Sequence, residues 1–400
     1  MTQVLKHIRV VDFSRIFAGP DSTQMLGDLG ADVIKVETPQ GGDECRYLGA
    51  TSEELSRIGG PSPSFRSFNR NKRSITLDLS TEAGRAVAEK LIRGADVVVN
   101  NFRPGTMERW GLGYDTLCRD QPGLIYCDFH AYGPVGPMSH IGANDLALQA
   151  FSGLMSITGE EDGAPVRAGG AIIDLHASLA IVSGVLAALY HRERTGQGQR
   201  LDTSLMLSAA HLMSYFYQDY WLTGNMHRRM GTANHLSVPN QAFPTRDGHA
   251  VIIAPSDEMW RRCAEALDPE RLACEEFRTA SERLRLRKDV VVAITEVTRE
   301  LTNAEVHARL SAAKVNVAIV QNIGEAADHP QLEAVGGIFR LPEGDDAQSY
   351  VSTPFRLHAT PGTIHRPPPA LGEHTGEILA EAGYSPLEID DLRKQGAIGA

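Results

Sequence analysis

The sequence predicts an α/β protein: a parallel sheet with helices on both faces, then a smaller α+β block. Three observations carry this. Short β-branched apolar runs alternate with helical patterns through the first third of the chain, the signature of βαβ units. Near residue 225 the pattern changes to a hairpin and charged helices. The 400-residue length has room for roughly two or three domains.

The elements follow in order. "IRVVDFS" (8–14) is a buried strand, and "GPDSTQMLGDLG" (19–30) a helix with Pro20 at its start and Gly30 past its end. "ADVIKVE" (31–37), "SITLDL" (74–79), "DVVVN" (96–100) and "GLIYCDF" (123–129) are further strands, with an amphipathic helix at 81–95. Residues 171–195 form a long buried helix, closed by His191, Arg192 and Arg194 before Gly196. "QGQRLDTSLM" (197–206) is a strand, with a helix after it. "NQAFPTRDGHAVIIAP" (240–255) is a hairpin turning at Asp247-Gly248. A capped helix (256–267), helices over 281–313 and a short buried strand at 315–320 complete the middle block. The tail (365–396) is a Pro-rich connector and then helices.

Composition narrows the function. A net charge of -11 argues against a nucleic-acid or anionic-membrane binder. Five scattered cysteines (45, 118, 127, 263 and 274) without CxxC spacing fit a reducing compartment. "MTQVLKHIRVVDFSR" lacks a signal-peptide core, and the apolar stretch Ala177–Tyr190 is too short for a membrane span. The expectation is a soluble cytoplasmic protein.

The first βαβ turn, "SRIFAGP", lacks the GxGxxG that admits a dinucleotide pyrophosphate, so Glu37 at the next strand end reads as a surface acid. There is no HExxH and no GxSxG. His374 and His176 are candidate metal ligands, but isolated His reads better as structural, and no metal is expected. Two basic loops remain. "NRNKRS" offers Arg70, Lys72 and Arg73, and "NNFRPGTMER" offers Asn101, Arg103 and Arg109. Loops beyond strand carboxyl ends can hold an anionic ligand through charge-assisted hydrogen bonds.

Asp174 stands inside "GGAIIDLHASLA" (169–180), and no other acid follows until Glu193. Burying a carboxylate is costly without compensation. Read alone, Asp174 is a helix N-cap. A helix start also stabilises charge, so the same residue can be a nucleophile toward an activated acyl group.

The collinear segments "VDFSRIFAGPDSTQMLGDLGADVIKVETPQGGDECR", "NRNKRSITLDL", "ADVVVNNFRPG", "SGLMSITG", "RTGQGQRLD" and "PPPALGEHTGEIL" resemble the class III CoA-transferases. That group includes formyl-CoA transferase, carnitine CoA-transferase and 2-methylacyl-CoA racemase. The resemblance implies a Rossmann-like large domain built from both chain ends (1–222 and 329–400), a small domain (223–328) and an interlocked homodimer. It places the nucleophile at Asp174, with aspartyl anhydride and aspartyl-CoA thioester intermediates. It implies CoA contacts from Phe17, Ala18, Leu77 to Leu79, Asn101, Phe102, Arg103 and Arg109. No tightly bound cofactor is implied, since CoA and the acyl-CoA are substrates.

Racemases of the group carry His-Asp where this chain has Asn144-Asp145. Asn cannot serve as acid or base at neutral pH, which argues against racemisation. Asp145 is read either as an acid on the carboxylic-acid side of the site or as a helix N-cap. The glycine run of formyl-CoA transferase is absent from "MGTANHLSVPNQ" (230–241), and Thr38-Pro39 replaces an Arg. "RMGTANHLSVPNQAF" resembles transferases using succinyl-CoA and a dicarboxylic acceptor such as glutarate. The alternatives are a 2-methylacyl-CoA racemase and a non-catalytic CoA-binding protein.

Overall fold

The computed structural model describes residues 3–341 and 348–399. Contacts divide the chain into two units. The larger runs to Leu154, resumes over Ala168–Gly224 and takes in the residues from Glu333 onward; the smaller holds Met155–Arg167 and Asn225–Leu332. The excursion at 155–167 has no counterpart in the sequence reading. It is tied in by the Gly231 amide, which donates to the Gly159 carbonyl at 2.8 Å.

The larger unit is built on six strands: β1 (Arg9–Asp12), β2 (Asp32–Glu37), β3 (Lys72–Thr76), β4 (Val97–Asn100), β5 (Ile125–His130) and β6 (Arg200–Ser204). Their order is β3-β2-β1-β4-β5-β6, and every pairing is parallel. Strand order reverses between β1 and β4, so the loops after these two strands open a crevice at the carboxyl edge. β1, β2, β4 and β5 are largely apolar because both faces are covered; β3 (Lys-Arg-Ser-Ile-Thr) is equally buried but mostly polar. Alternate residues feed two cores. On one face Val10, Val33, Val97 and Cys127 meet α1 (Ala18–Asp28) through Met25 and Leu26.

The opposite core joins Val11, Ile34, Val98 and Tyr126 to Val87 and Leu91 of α2 (Glu82–Arg93), which Thr81 caps. The chain end returns here: Ile378 and Leu379, then Leu392 and Ile398, enter the same core. β3 ends at Thr76, so Leu77 and Leu79 lie in the loop after it rather than in the strand. Pro20 is the third helical residue of α1, not the first.

Two helices matter for the site: α3 (Asp145–Phe151) and α4 (Ile172–Thr195). Ile173, Ala177, Ile181 and Val185 of α4 pack on the first core. The expectation of a fully buried helix is corrected, since Leu175, Leu179 and Tyr190 are exposed on its other side. At 24 residues this helix is also long and apolar enough to cross a membrane by length and composition, unlike the shorter stretch considered from sequence. Here one side of it rests on a parallel sheet.

The smaller unit has an antiparallel sheet of β7 (Asn240–Pro244), β8 (His249–Ile253) and β9 (Asn316–Ile319). The hairpin turns where Asp247-Gly248 predicts, with the Thr245 amide donating to the Gly248 carbonyl. β9 is an edge strand with alternate residues exposed, not a buried one.

Candidate active site

Asp174 is the third residue of α4, not its N-cap; that position is Ala171, which supplies no side-chain bond. The cap comes from a distant residue. Asp145 Oδ2 accepts the backbone N–H of Ile173 at 2.7 Å and that of Asp174 at 3.2 Å. Gln149 Nε2 holds the other Asp145 oxygen. Asp145 is not the N-cap of α3 either: Asn144 fills that role, its side chain accepting from the Ala147 amide at 3.1 Å.

The Asp174 side chain is half-buried, and among the described residues nothing donates a hydrogen bond to its carboxylate. Burial first, and the Asp145 charge second, push its pKa up to about 7. Both penalise the ionised form. The result is a carboxylate that is basic for its type and has free lone pairs. In Asp145→Asn the like charge goes while an acceptor oxygen stays. The Asp174 carboxyl then titrates at lower pH. Carboxyl-carbon NMR checks this, with Asp174→Asn assigning the resonance; an unmoved titration would leave burial as the only cause.

α1 and α4 lie side by side. Ser178 Oγ donates to Asp21 Oδ2 at 2.6 Å. One turn back along each helix from that bond stand Phe17, the residue before α1, and Asp174. The N–H groups of a helix's first turn have no partner inside the helix. Gly19 is required here, since a Cβ would collide with the Ser14 side chain.

The loops after β1 and β4 meet across the switch point. Asn101 Oδ1 accepts the Arg15 amide at 3.0 Å and its Nδ2 donates to the Arg15 carbonyl at 2.9 Å, so its side chain is spent on backbone. Beside it is a cavity of about 160 Å³, lined by Arg15, Leu77, Leu79, Phe102 and Trp110 among others. Phe102 and Trp110 meet edge to face at 5.2 Å, and the Arg15 guanidinium lies 5.5 Å from the Phe102 ring centre. Thus Leu77, Leu79 and Phe102, far apart in sequence, share one hollow. Arg103 and Arg109 are exposed at its loop; Arg109 donates to Thr106 Oγ1, and among the described residues neither forms an ion pair.

The charges of the other basic loop are spent on internal ion pairs. Arg70 is buried on Asp28 at 2.6 Å, and Lys72 is buried on Asp12 at 3.1 Å. Arg73 bonds Asp32, Glu377 and Glu381. Their acids lie tens to hundreds of residues away, which local reading cannot see. Glu37 is likewise not a surface acid: it is buried and paired with Arg46 at 2.7 Å. His374 Nδ1 accepts from the Ser74 amide, and His176 pairs with His211 rather than Asp174. A cavity of about 720 Å³ adjoins α4 at Leu175, Ser178 and Leu179; Asp174 is not among its lining residues.

The chain is similar to known proteins over nearly its whole length. The chain is 35% identical over 386 residues to a succinate–glutarate CoA-transferase of Agrobacterium fabrum, covering 94% of this chain and 95% of that protein. It is 36% identical over 401 residues to a succinyl-CoA:mesaconate CoA-transferase of Haloarcula marismortui, covering 97% and 99%. A CaiB/BaiF family protein from Brucella suis, solved by crystallography, superposes with a TM-score of 0.85 at 32% identity, covering 96% of this chain and all of that one. The profile of CoA-transferase family III matches residues 5–375, and with the crevice, the first-turn carboxylate and these relatives together, the chain belongs to that family.

Proposed function

We propose that this enzyme moves CoA from succinyl-CoA to a small dicarboxylic acid, with Asp174 as nucleophile. The observation that carries the reading is the Asp174 carboxylate, unpartnered and half-buried in the first turn of α4. The names of the relatives, which pair succinate with glutarate and succinyl-CoA with mesaconate, support the substrate class.

An Asp174 oxygen attacks the succinyl thioester carbonyl, and CoA thiolate leaves from the tetrahedral adduct, giving a mixed anhydride. The thiolate attacks the Asp174 carbonyl and expels succinate, leaving an aspartyl-CoA thioester. The acceptor carboxylate attacks that thioester and again frees the thiolate. The thiolate then takes the acceptor acyl group from the second anhydride, and Asp174 returns as carboxylate. Each adduct carries an oxyanion, which backbone donors at the start of α1 stabilise. The 160 Å³ hollow suits the adenine of CoA, with Phe102 and Trp110 as apolar walls. Arg103 and Arg109, free of acid partners, suit its phosphates.

Exposed apolar residues in the larger unit (Leu175, Leu179, Tyr190, Trp221, Leu222) support a homodimer. Incubation with succinyl-CoA and hydroxylamine leaves a hydroxamate on Asp174, seen by peptide mass spectrometry, and adding glutarate yields glutaryl-CoA. Deuterium entering the α-carbon of a 2-methylacyl-CoA without CoA exchange would favour a racemase. Binding of CoA with neither adduct nor exchange would leave a non-catalytic protein.

A further inference from the structure

Ile16 has φ of +71°. Among the described residues the other non-glycine positions with positive φ are Asn71 and Lys314. Asn tolerates this region through its short polar side chain, and Lys314 directly follows a helix end. A β-branched residue there is strained and persists only where its surroundings over-determine it. Ile16 is 37% exposed, so packing of its side chain does not hold it.

The backbone around it is held by side chains instead. The Ser14 amide donates to Asp12 Oδ1, and the Ser14 carbonyl accepts from Lys35 Nζ at 3.0 Å. Both backbone polar groups of Arg15, its N–H and its C=O, are taken by Asn101. The Ile16 amide donates to both oxygens of Asp43, at 3.2 and 3.3 Å. Asp43 is in turn fixed by Lys35 Nζ at 2.9 Å, with both side chains essentially unexposed. Burial alone favours neutral Lys35; Asp43 and Asp12 reverse that and keep it charged.

We infer that Asp43, anchored by Lys35, is a positioning residue for CoA transfer. It holds Ile16 in the left-handed region and so sets the direction in which Phe17 and Ala18 meet the thioester. This rests on the function proposed above. It adds a role for two buried residues that touch neither substrate nor Asp174.

Glycine provides the test, because it adopts positive φ without cost and alanine does not. Asp43→Ala is expected to lower kcat/KM for succinyl-CoA about thirtyfold or more, chiefly in kcat, since misplacing a reacting group costs rate. Adding Ile16→Gly restores the rate to within about fivefold of the Ile16→Gly single variant, while Ile16→Ala gives no recovery. Asp43→Asn keeps an acceptor for Ile16 but not the charge that pairs with Lys35. It is carried through the same series as a milder variant, with thermal melting confirming that each protein is folded. A purely structural Asp43 would show no glycine-specific recovery. Equal recovery by alanine, no recovery, or an undiminished rate in Asp43→Ala and Asp43→Asn overturns the inference. A parent chain that transfers no CoA removes the proposed function instead, which separates the two failures.

Discussion

Asp174→Asn is expected to lose CoA transfer by on the order of 10⁴-fold or more, the scale seen when a nucleophile is deleted, and at the same time to become more stable at pH 8. The amide is nearly isosteric and keeps the first turn of α4, but it cannot open the thioester. The stability gain follows from the raised pKa. Folding moves the Asp174 carboxyl from an ordinary 3.8 to about 7. Between those values the folded state binds more protons than the unfolded one, so stability falls as pH rises through that window and is lowest above it. One pKa unit is about 1.4 kcal/mol, and the partial exposure of Asp174 reduces the full displacement to roughly 1–3 kcal/mol. Urea unfolding at pH 8 then shows the variant more stable by that amount, and near pH 4 the two proteins converge. A variant that is equally stable at both pH values would mean that the carboxylate is not penalised by folding. A variant that still transfers CoA at the parent rate would sink the mechanism. A site that destabilises its own fold is the usual trade between activity and stability.

The second large effect is Asp12→Ala. Asp12 is fully buried at the end of β1. It accepts from the Ser14 amide at 2.9 Å, Thr23 Oγ1 at 2.6 Å and Lys72 Nζ at 3.1 Å. Burial alone would raise its pKa; Lys72, Lys35 and the two hydroxyls outweigh that and hold it below the usual range. Lys72 is itself brought down to about 8, with burial working against its charge and Asp12 sustaining it. Removing Asp12 leaves that ammonium with only Asn69 Oδ1 and the Pro20 carbonyl. Breaking one side of a buried pair typically costs about 3–5 kcal/mol, measurable as a shift in the urea midpoint. Asp12→Ala combined with Lys72→Met should lose less than Asp12→Ala alone, since no buried charge is then stranded. A loss under about 1 kcal/mol for the single change would show that water reaches the pair.

Much of the site is written locally, and the rest is not. Asp174 stands out because one acid interrupts an apolar run, and the crevice follows from βαβ order. β1, β2, β4 and β5 are legible because parallel strands buried on both faces carry dense apolar runs. What escapes is the pairing of charges across distance. "NRNKRS" looks like an anion site until Asp28, Asp12 and Asp32 arrive from the first two strands and α1. Asp145 caps a helix that begins 27 residues later, and no periodicity marks that. Asn101 resembles a ligand contact, yet both its amide atoms serve the Arg15 backbone. The strain at Ile16 has no sequence mark, because isoleucine is the last residue that turn chemistry would place there.

The return of residues 375–399 to the sheet has a consequence for biosynthesis. The Asp78 amide donates to the Ala397 carbonyl, and the Gly399 amide to Thr76 Oγ1, beside strand β3 near the other end of the chain. On the ribosome, nearly all of the smaller unit emerges as one unbroken length and can fold as it appears. The larger unit must wait, with part of one sheet face still uncovered beside α2, until residues 375–399 leave the exit tunnel. Nascent chains stalled before residue 375 are therefore the species that chaperones have to shield.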